Sequence, residues 1–132
     1  MDINELISNA KLARSNSYSP YSKYSVGAAL LTKSGKLYRG SNIENHGIMS
    51  ICAERTAFLK AISEGEKEFE AILVLSGPHG QEADAGSPCG YCRQFMSEFV
   101  DKDFKVYTIT KDNKLIENTM EELLPYSFKF ES

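Results

Sequence analysis

A chain of 132 residues, 42% hydrophobic and 25% charged, has the composition of an ordinary globular domain and argues against disorder or a fibre. Its formal net charge of −3 is spread over both signs without a basic stripe, so no nucleic-acid partner is expected. No apolar run reaches the length of a bilayer span, Met1-Asp2-Ile3-Asn4-Glu5 does not open a signal peptide, and the odd count of three cysteines cannot close into disulfides, which together predict a cytoplasmic protein without a membrane partner.

Ile3, Leu6, Ile7, Ala10 and Ala13 recur at helical spacing, predicting an amphipathic helix over 3–14 with Asp2 as its N-cap. The polar, Pro-broken segment 15–23 reads as an ordered loop. Residues 24–32 read as a strand with small residues where something packs closely, and Lys33-Ser34-Gly35-Lys36 turns it into an antiparallel partner over 37–42. A helix from about Ile51 to Ser63 follows, with Ser50 as cap and Gly65 as stop. Residues 69–76 are nearly continuously apolar, as in a central strand buried on both faces. After a loop rich in Gly, Pro and Asp, Ser87-Pro88 is read as opening a helix that reaches about Val100. Residues 104–110 form another strand, Asp112-Asn113 turns it into a short one near Leu115-Ile116, and Met120 to Leu124 make a last helical turn before Pro125. This order implies a single domain over 1–132, a three-layer α/β/α sandwich around a mixed five-stranded sheet.

All three cysteines fall in two short stretches, Ser50-Ile51-Cys52-Ala53-Glu54-Arg55-Thr56 and Pro88-Cys89-Gly90-Tyr91-Cys92-Arg93-Gln94. Three thiolates and a water make a four-coordinate zinc with one open position, the arrangement of a catalytic rather than a structural site. Cys89 and Cys92 are three apart at a predicted helix start, and Cys52 opens the other helix, so both sets of thiols gain from the positive end of a helix dipole. Three thiolates leave zinc with a net charge of −1; Arg55, one turn beyond Cys52, is placed to offset it by hydrogen-bonding the sulfurs. Glu54 is too near Cys52 to be an easy fourth ligand but well placed to move the proton of a metal-activated water. His46 and His79 have no required role. Asn42 and Glu44 alternate at a strand end, so both can face one side, and a carboxylate beside an amide suits a diol.

Cys52-Ala53-Glu54-Arg55-Thr56-Ala57 together with Pro88-Cys89-Gly90-Tyr91-Cys92-Arg93-Gln94 resembles the zinc-dependent cytidine deaminase family, whose signature is a known one. The resemblance continues through Tyr18-Ser19-Pro20-Tyr21-Ser22-Lys23, Val26-Gly27-Ala28-Ala29, Asn42-Ile43-Glu44-Asn45 and Glu122-Leu123-Leu124-Pro125, so it covers almost the whole chain, and it is to the small, homotetrameric, three-cysteine branch. It implies one Zn²⁺ per subunit held by Cys52, Cys89 and Cys92. It further implies attack of an activated water on C4 of cytidine or 2′-deoxycytidine, with Glu54 relaying protons to N3 and to the leaving ammonia, in pyrimidine salvage. By the same resemblance Asn42 and Glu44 hold the ribose hydroxyls, the Ala53 amide and the Ser87 carbonyl hold the base, and Tyr24 stands where the family usually has a Phe against the base. Phe128 would complete a neighbouring subunit's site, the sites lying near the subunit interfaces of a tetramer. The sequence departs from the family's pattern over His46-Gly47-Ile48-Met49-Ser50-Ile51, where an aromatic that lines the site is missing. The departure keeps open a deaminase of another aminopyrimidine nucleoside, such as blasticidin S. A different class is a non-catalytic, zinc-stabilised interaction domain, which would require a fourth protein ligand.

Overall fold

The computed structural model of the protein describes residues 1–46 and 50–129. Asp2 caps the first helix, α1 (Ile3–Ser15), by accepting from the Asn4 amide at 3.0 Å. The hairpin β1 (Tyr24–Thr32) and β2 (Leu37–Ser41) turns at Gly35, whose φ of +93° only glycine adopts without strain. There follow α2 (Ala53–Ser63), β3 (Phe69–Pro78), a two-residue strand β4 (Asp84–Ala85), α3 (Gly90–Ser97), β5 (Lys105–Ile109), β6 (Leu115–Thr119) and the single turn α4 (Met120–Leu123).

The sheet runs β2-β1-β3-β5-β6, with β3 and β5 parallel and the other pairs antiparallel, so the expected mixed five-stranded path is present. The short β4 is an addition that sequence reading left inside the loop over 77–87. It pairs Ala85 with Leu75 and Asp84 with Ser76, continuing beyond β5 on the side of β3 that β1 does not occupy. Two residues carry too little pattern to be read as a strand. As expected, β3 is buried along nearly its whole length. Its side chains alternate between two cores. Ile72 and Val74 join α2, α3 and Met120 of α4 on one face, while Ala71, Leu73 and Leu75 join Leu6 and Ala10 of α1 on the other. Helices therefore cover both faces, and the three layers are as expected.

Two glycines set the helix-to-sheet distances. A Cβ at Gly27 of β1 would lie 2.2 Å from the Ala10 carbonyl oxygen of α1, and one at Gly40 of β2 would lie 2.3 Å from the Ala53 carbonyl oxygen of α2. Between α2 and α3, Phe58 is fully buried, with ring centroids 4.9 Å from Phe69, 6.4 Å from Phe95 and Phe99, and 6.1 Å from Phe104. Burying such a ring stabilises by about 1.5–3 kcal/mol. Here that energy also fixes the two cysteine-bearing helices against each other.

Both helix starts differ from expectation. α2 begins at Ala53, not near Ile51, and Cys52 rather than Ser50 is its N-cap residue. The reason is tertiary: Ile51 pairs with Ile43 through two backbone hydrogen bonds of 2.9 and 3.0 Å, which hold it extended. α3 begins at Gly90 with Cys89 as N-cap, two residues beyond the expected Ser87-Pro88 start, and ends at Ser97 rather than near Val100. Arg93 explains the shift in the start: its Nε donates to the Pro88 carbonyl at 2.8 Å and its Nη2 to the Ser87 hydroxyl at 2.6 Å, holding those residues outside the helix. β6 runs three residues further than expected, to Thr119, because that residue pairs with Lys105. Among the described residues no helix is long and apolar enough to cross a membrane.

Candidate metal centre and active site

Cys52 and Cys89 occupy equivalent places, each the N-cap residue of a helix, and the two helices start beside one another at one end of the sheet. The Cys52 and Cys89 sulfurs are 4.0 Å apart, and the three sulfurs of Cys52, Cys89 and Cys92 all lie within 4.8 Å of one another. Zinc–sulfur bonds of about 2.3 Å at tetrahedral angles separate sulfurs by ~3.8 Å, so this cluster fits a zinc ion with little movement. Among the described residues it is the cluster of three or more such groups positioned to share a metal. The Cys92 amide donates to the Cys89 sulfur at 3.5 Å, an N-cap bond in which sulfur replaces the usual oxygen.

The electrostatics favour thiolate at Cys52. A hydrogen bond from Cys92, followed by bonds from Arg55 and Cys89, brings Cys52 down to about 5 against the opposing effect of burial. Cys92 moves the other way, held above the ordinary thiol range first by its bond to Cys52 and then by burial. Arg55 donates from Nη2 to the Cys52 sulfur at 3.8 Å and to the Ser50 carbonyl at 3.1 Å. Glu54, in the first turn of α2, is only 4% exposed. Burial is the main cause that pushes its carboxyl up to about 7, and the Cys52 charge adds to it.

Cys52, Cys89 and Glu54 open onto a cavity of about 330 Å³, while Cys92 and Arg55 stand behind its wall. Cys52, Ala53, Glu54, Ser87 and Cys89 share it with Tyr24, Asn42 and Glu44, so most of the residues singled out from sequence converge here. Asn42 and Glu44 lie just past the end of β2 and both reach the cavity. The Asn42 Oδ1 accepts from the Val26 amide at 2.9 Å and from the Ser17 hydroxyl, while Nδ2 donates to the Tyr24 carbonyl at 2.9 Å. Nδ2 carries a second hydrogen beyond that bond. Glu44 accepts from the Tyr21 and Ser22 amides at 3.0 and 3.1 Å and from the Ser22 hydroxyl, and that hydroxyl is the chief reason its carboxyl sits below the usual range. The Tyr24 hydroxyl donates to Ser76 at 3.1 Å.

Sequence reasoning missed the supports behind these groups. Ser17, Ser22 and Ser76 look like loop or strand polarity until folding brings them to Asn42, Glu44 and Tyr24, and only the polar run over 15–23 hinted at the first two. Phe128 is exposed and does not line the cavity of its own chain; Gln94 donates to its carbonyl at 3.1 Å. His79 is exposed, its Nδ1 3.0 Å from the Ser25 hydroxyl, and His46 stacks on Tyr21 at 5.5 Å between ring centroids. Of the departing stretch 46–51, residues 47–49 lie outside the described residues.

Comparison with known proteins agrees with the cluster. The family model for the cytidine and deoxycytidylate deaminase zinc-binding region matches residues 1–108. The chain is 45% identical over 132 residues to a cytidine deaminase of Sporosarcina psychrophila, covering 99% of this chain and 94% of that protein. It is 36% identical over 111 residues to a blasticidin-S deaminase of Bacillus cereus, covering 80% of this chain and 78% of that one. The crystal structure of a cytidine deaminase from Burkholderia pseudomallei superposes with a TM-score of 0.88 at 38% identity, covering 97% of this chain and 100% of that one. The three-sulfur cluster, the α/β sandwich that forms it and this full-length similarity agree: the chain belongs to the cytidine and deoxycytidylate deaminase family of zinc-dependent hydrolytic deaminases.

Proposed function

We propose that this enzyme hydrolyses cytidine and 2′-deoxycytidine to uridine and 2′-deoxyuridine with release of ammonia. The observation that carries the reading is the buried Glu54 beside three converging sulfurs, in one cavity with an Asn–Glu pair suited to a diol. Cys52, Cys89 and Cys92 would hold zinc, which when bound would supply Lewis-acid activation of a water nucleophile. Glu54 takes the proton that this water releases and delivers it to N3 of the pyrimidine. It then carries the second proton to the departing amino group. A carboxyl poised near neutrality by burial serves both as base and as acid. Water and nucleoside together balance against the uracil nucleoside and ammonia.

Binding divides along the cavity. Asn42 donates its remaining amide hydrogen to a ribose hydroxyl, and Glu44, held as a carboxylate, accepts from a hydroxyl. The Ala53 amide and the Ser87 carbonyl hold the base edges, and the Tyr24 ring lies against its face. The same reading treats residues 1–132 as one catalytic domain, makes the enzyme a homotetramer in which Phe128 reaches a neighbouring site, and puts it in pyrimidine salvage in a reducing cytoplasm, where ligand thiols stay reduced.

Loss of cytidine absorbance, measured beside the zinc content of the same protein, tests this. Glu54→Gln is expected to keep about one zinc per chain and lose ~10²–10⁴ in rate, the usual span for an acid–base group. Near-normal turnover in that variant would refute the role of Glu54. A second reading, deamination of an aminopyrimidine nucleoside of the blasticidin S type, draws on the similarity to the Bacillus cereus enzyme. A zinc-loaded protein that is idle on cytidine and 2′-deoxycytidine but turns over blasticidin S would favour it.

A further inference from the structure

Tyr91 sits between Cys89 and Cys92, yet its side chain turns outward and is 65% exposed. It is not idle there. The Arg55 guanidinium carbon lies 4.2 Å from the centre of its ring, within cation–π range. Arg55 is thus held on two sides: Nη2 points at the Cys52 sulfur and the Ser50 carbonyl, and the guanidinium face is covered by Tyr91. Its Nε is buried and has no hydrogen-bond partner among the described residues. Hydrogen bonds alone therefore do not use the whole guanidinium fork, and the ring face supplies part of what fixes its plane. Tyr91 belongs to α3 and Arg55 to α2, so the contact also joins the two segments that carry the cysteines.

We propose that Tyr91 is a positioning residue of the metal centre, holding the Arg55 guanidinium against Cys52 so that its charge stays opposite the thiolates. This rests on the reading that Cys52, Cys89 and Cys92 hold zinc. A net negative zinc–thiolate set is stabilised by a cation at fixed distance, and a guanidinium free to swing into water is screened and contributes little. Tyr91 acts by limiting that swing. The quadrupole of the ring carries the effect, so the phenol hydroxyl is dispensable.

The test is the rate at which zinc passes from the purified, zinc-loaded protein to a chromophoric chelator. It is measured for wild type, Tyr91→Phe, Tyr91→Ala, Arg55→Gln and the Tyr91→Ala/Arg55→Gln double variant, with far-ultraviolet circular dichroism to verify folding. Tyr91→Phe should release zinc at the wild-type rate, and Tyr91→Ala roughly two- to five-fold faster, the effect of losing one exposed cation–π contact. In the Arg55→Gln background, Tyr91→Ala should add nothing, because the partner through which it acts is gone. A wild-type rate in Tyr91→Ala overturns the inference, as does equal acceleration in the Arg55→Gln background or a Tyr91→Phe variant as fast as Tyr91→Ala. A wild-type protein that takes up no zinc overturns the underlying zinc reading, and the inference with it.

Discussion

Gly40→Ala tests how the sheet positions the metal centre. The added Cβ would lie 2.3 Å from the Ala53 carbonyl oxygen and 2.5 Å from the Ala57 amide nitrogen, both backbone atoms of α2. No side-chain rotation relieves such a contact, so the first turn of the helix must retreat by roughly 1 Å to reach ordinary packing distance. Overpacking of this kind costs about 1–3 kcal/mol. With about 2.1 cal/mol/K of unfolding entropy per residue over 132 residues, a loss of ~2 kcal/mol lowers Tm by ~7 °C. The retreat carries Cys52 and Glu54 with it, and a misplacement near 1 Å costs about 10²-fold in turnover. Gly27→Ala is the matched control, because its Cβ meets the Ala10 carbonyl oxygen at 2.2 Å and the Arg14 amide at 2.3 Å, on the α1 face of the sheet. Calorimetry and cytidine turnover, at a temperature where both variants are folded, should show similar drops in Tm and a much larger loss of turnover in Gly40→Ala. A wild-type Tm in Gly40→Ala, or equal turnover losses in the two, would refute the reasoning.

Ser22→Ala removes the main cause of the lowered Glu44 pKa, so protonation of that carboxyl moves to higher pH. Affinity for the ribose needs the carboxylate, is present above the pKa and is lost as pH falls through it; the acid limb of 1/KM for cytidine should therefore begin at higher pH in the variant, and an unshifted limb would contradict the role of Glu44. Arg93→Ala frees Ser87, Pro88 and the Leu123 carbonyl, the last now bonded at 2.8 Å, so KM should rise as the Ser87 carbonyl loses its place while zinc content is kept. Zinc loss without a change in KM would show that Arg93 serves the cysteine loop instead.

How far the sequence could be read depended on the range of the determining interaction. Tyr24–Thr32 was legible to the residue because its pattern, turn and partner are local. The cysteine cluster was legible because these are the chain's only cysteines and a metal needs few residue types to hold it. The starts of α2 and α3 were not, since the Ile43–Ile51 bridge and the Arg93 clamp are tertiary. Arg14 gives the clearest case. It reads as the last charge of an amphipathic helix, yet it donates to the Ser25, Pro78 and Gln81 carbonyls at 3.0, 2.9 and 2.8 Å, the last two more than sixty positions away. Nothing within a helical window announces that bond, and the same holds for Tyr91 over Arg55.

The spacing of the sulfurs bears on how the protein assembles. Cys52 and Cys89 are 37 positions apart, and the chain between them contains α2 and the whole of β3, the strand that holds the sheet together. The sulfurs meet only once β3 has paired with β1 on one side and the chain has returned past β4 to begin α3. Tight metal uptake is therefore a property of the packed β1–β3 pair and the two helix starts together rather than of either cysteine segment. A chain that stops before Cys89 lacks two of the three sulfurs, however much of its first hairpin it forms.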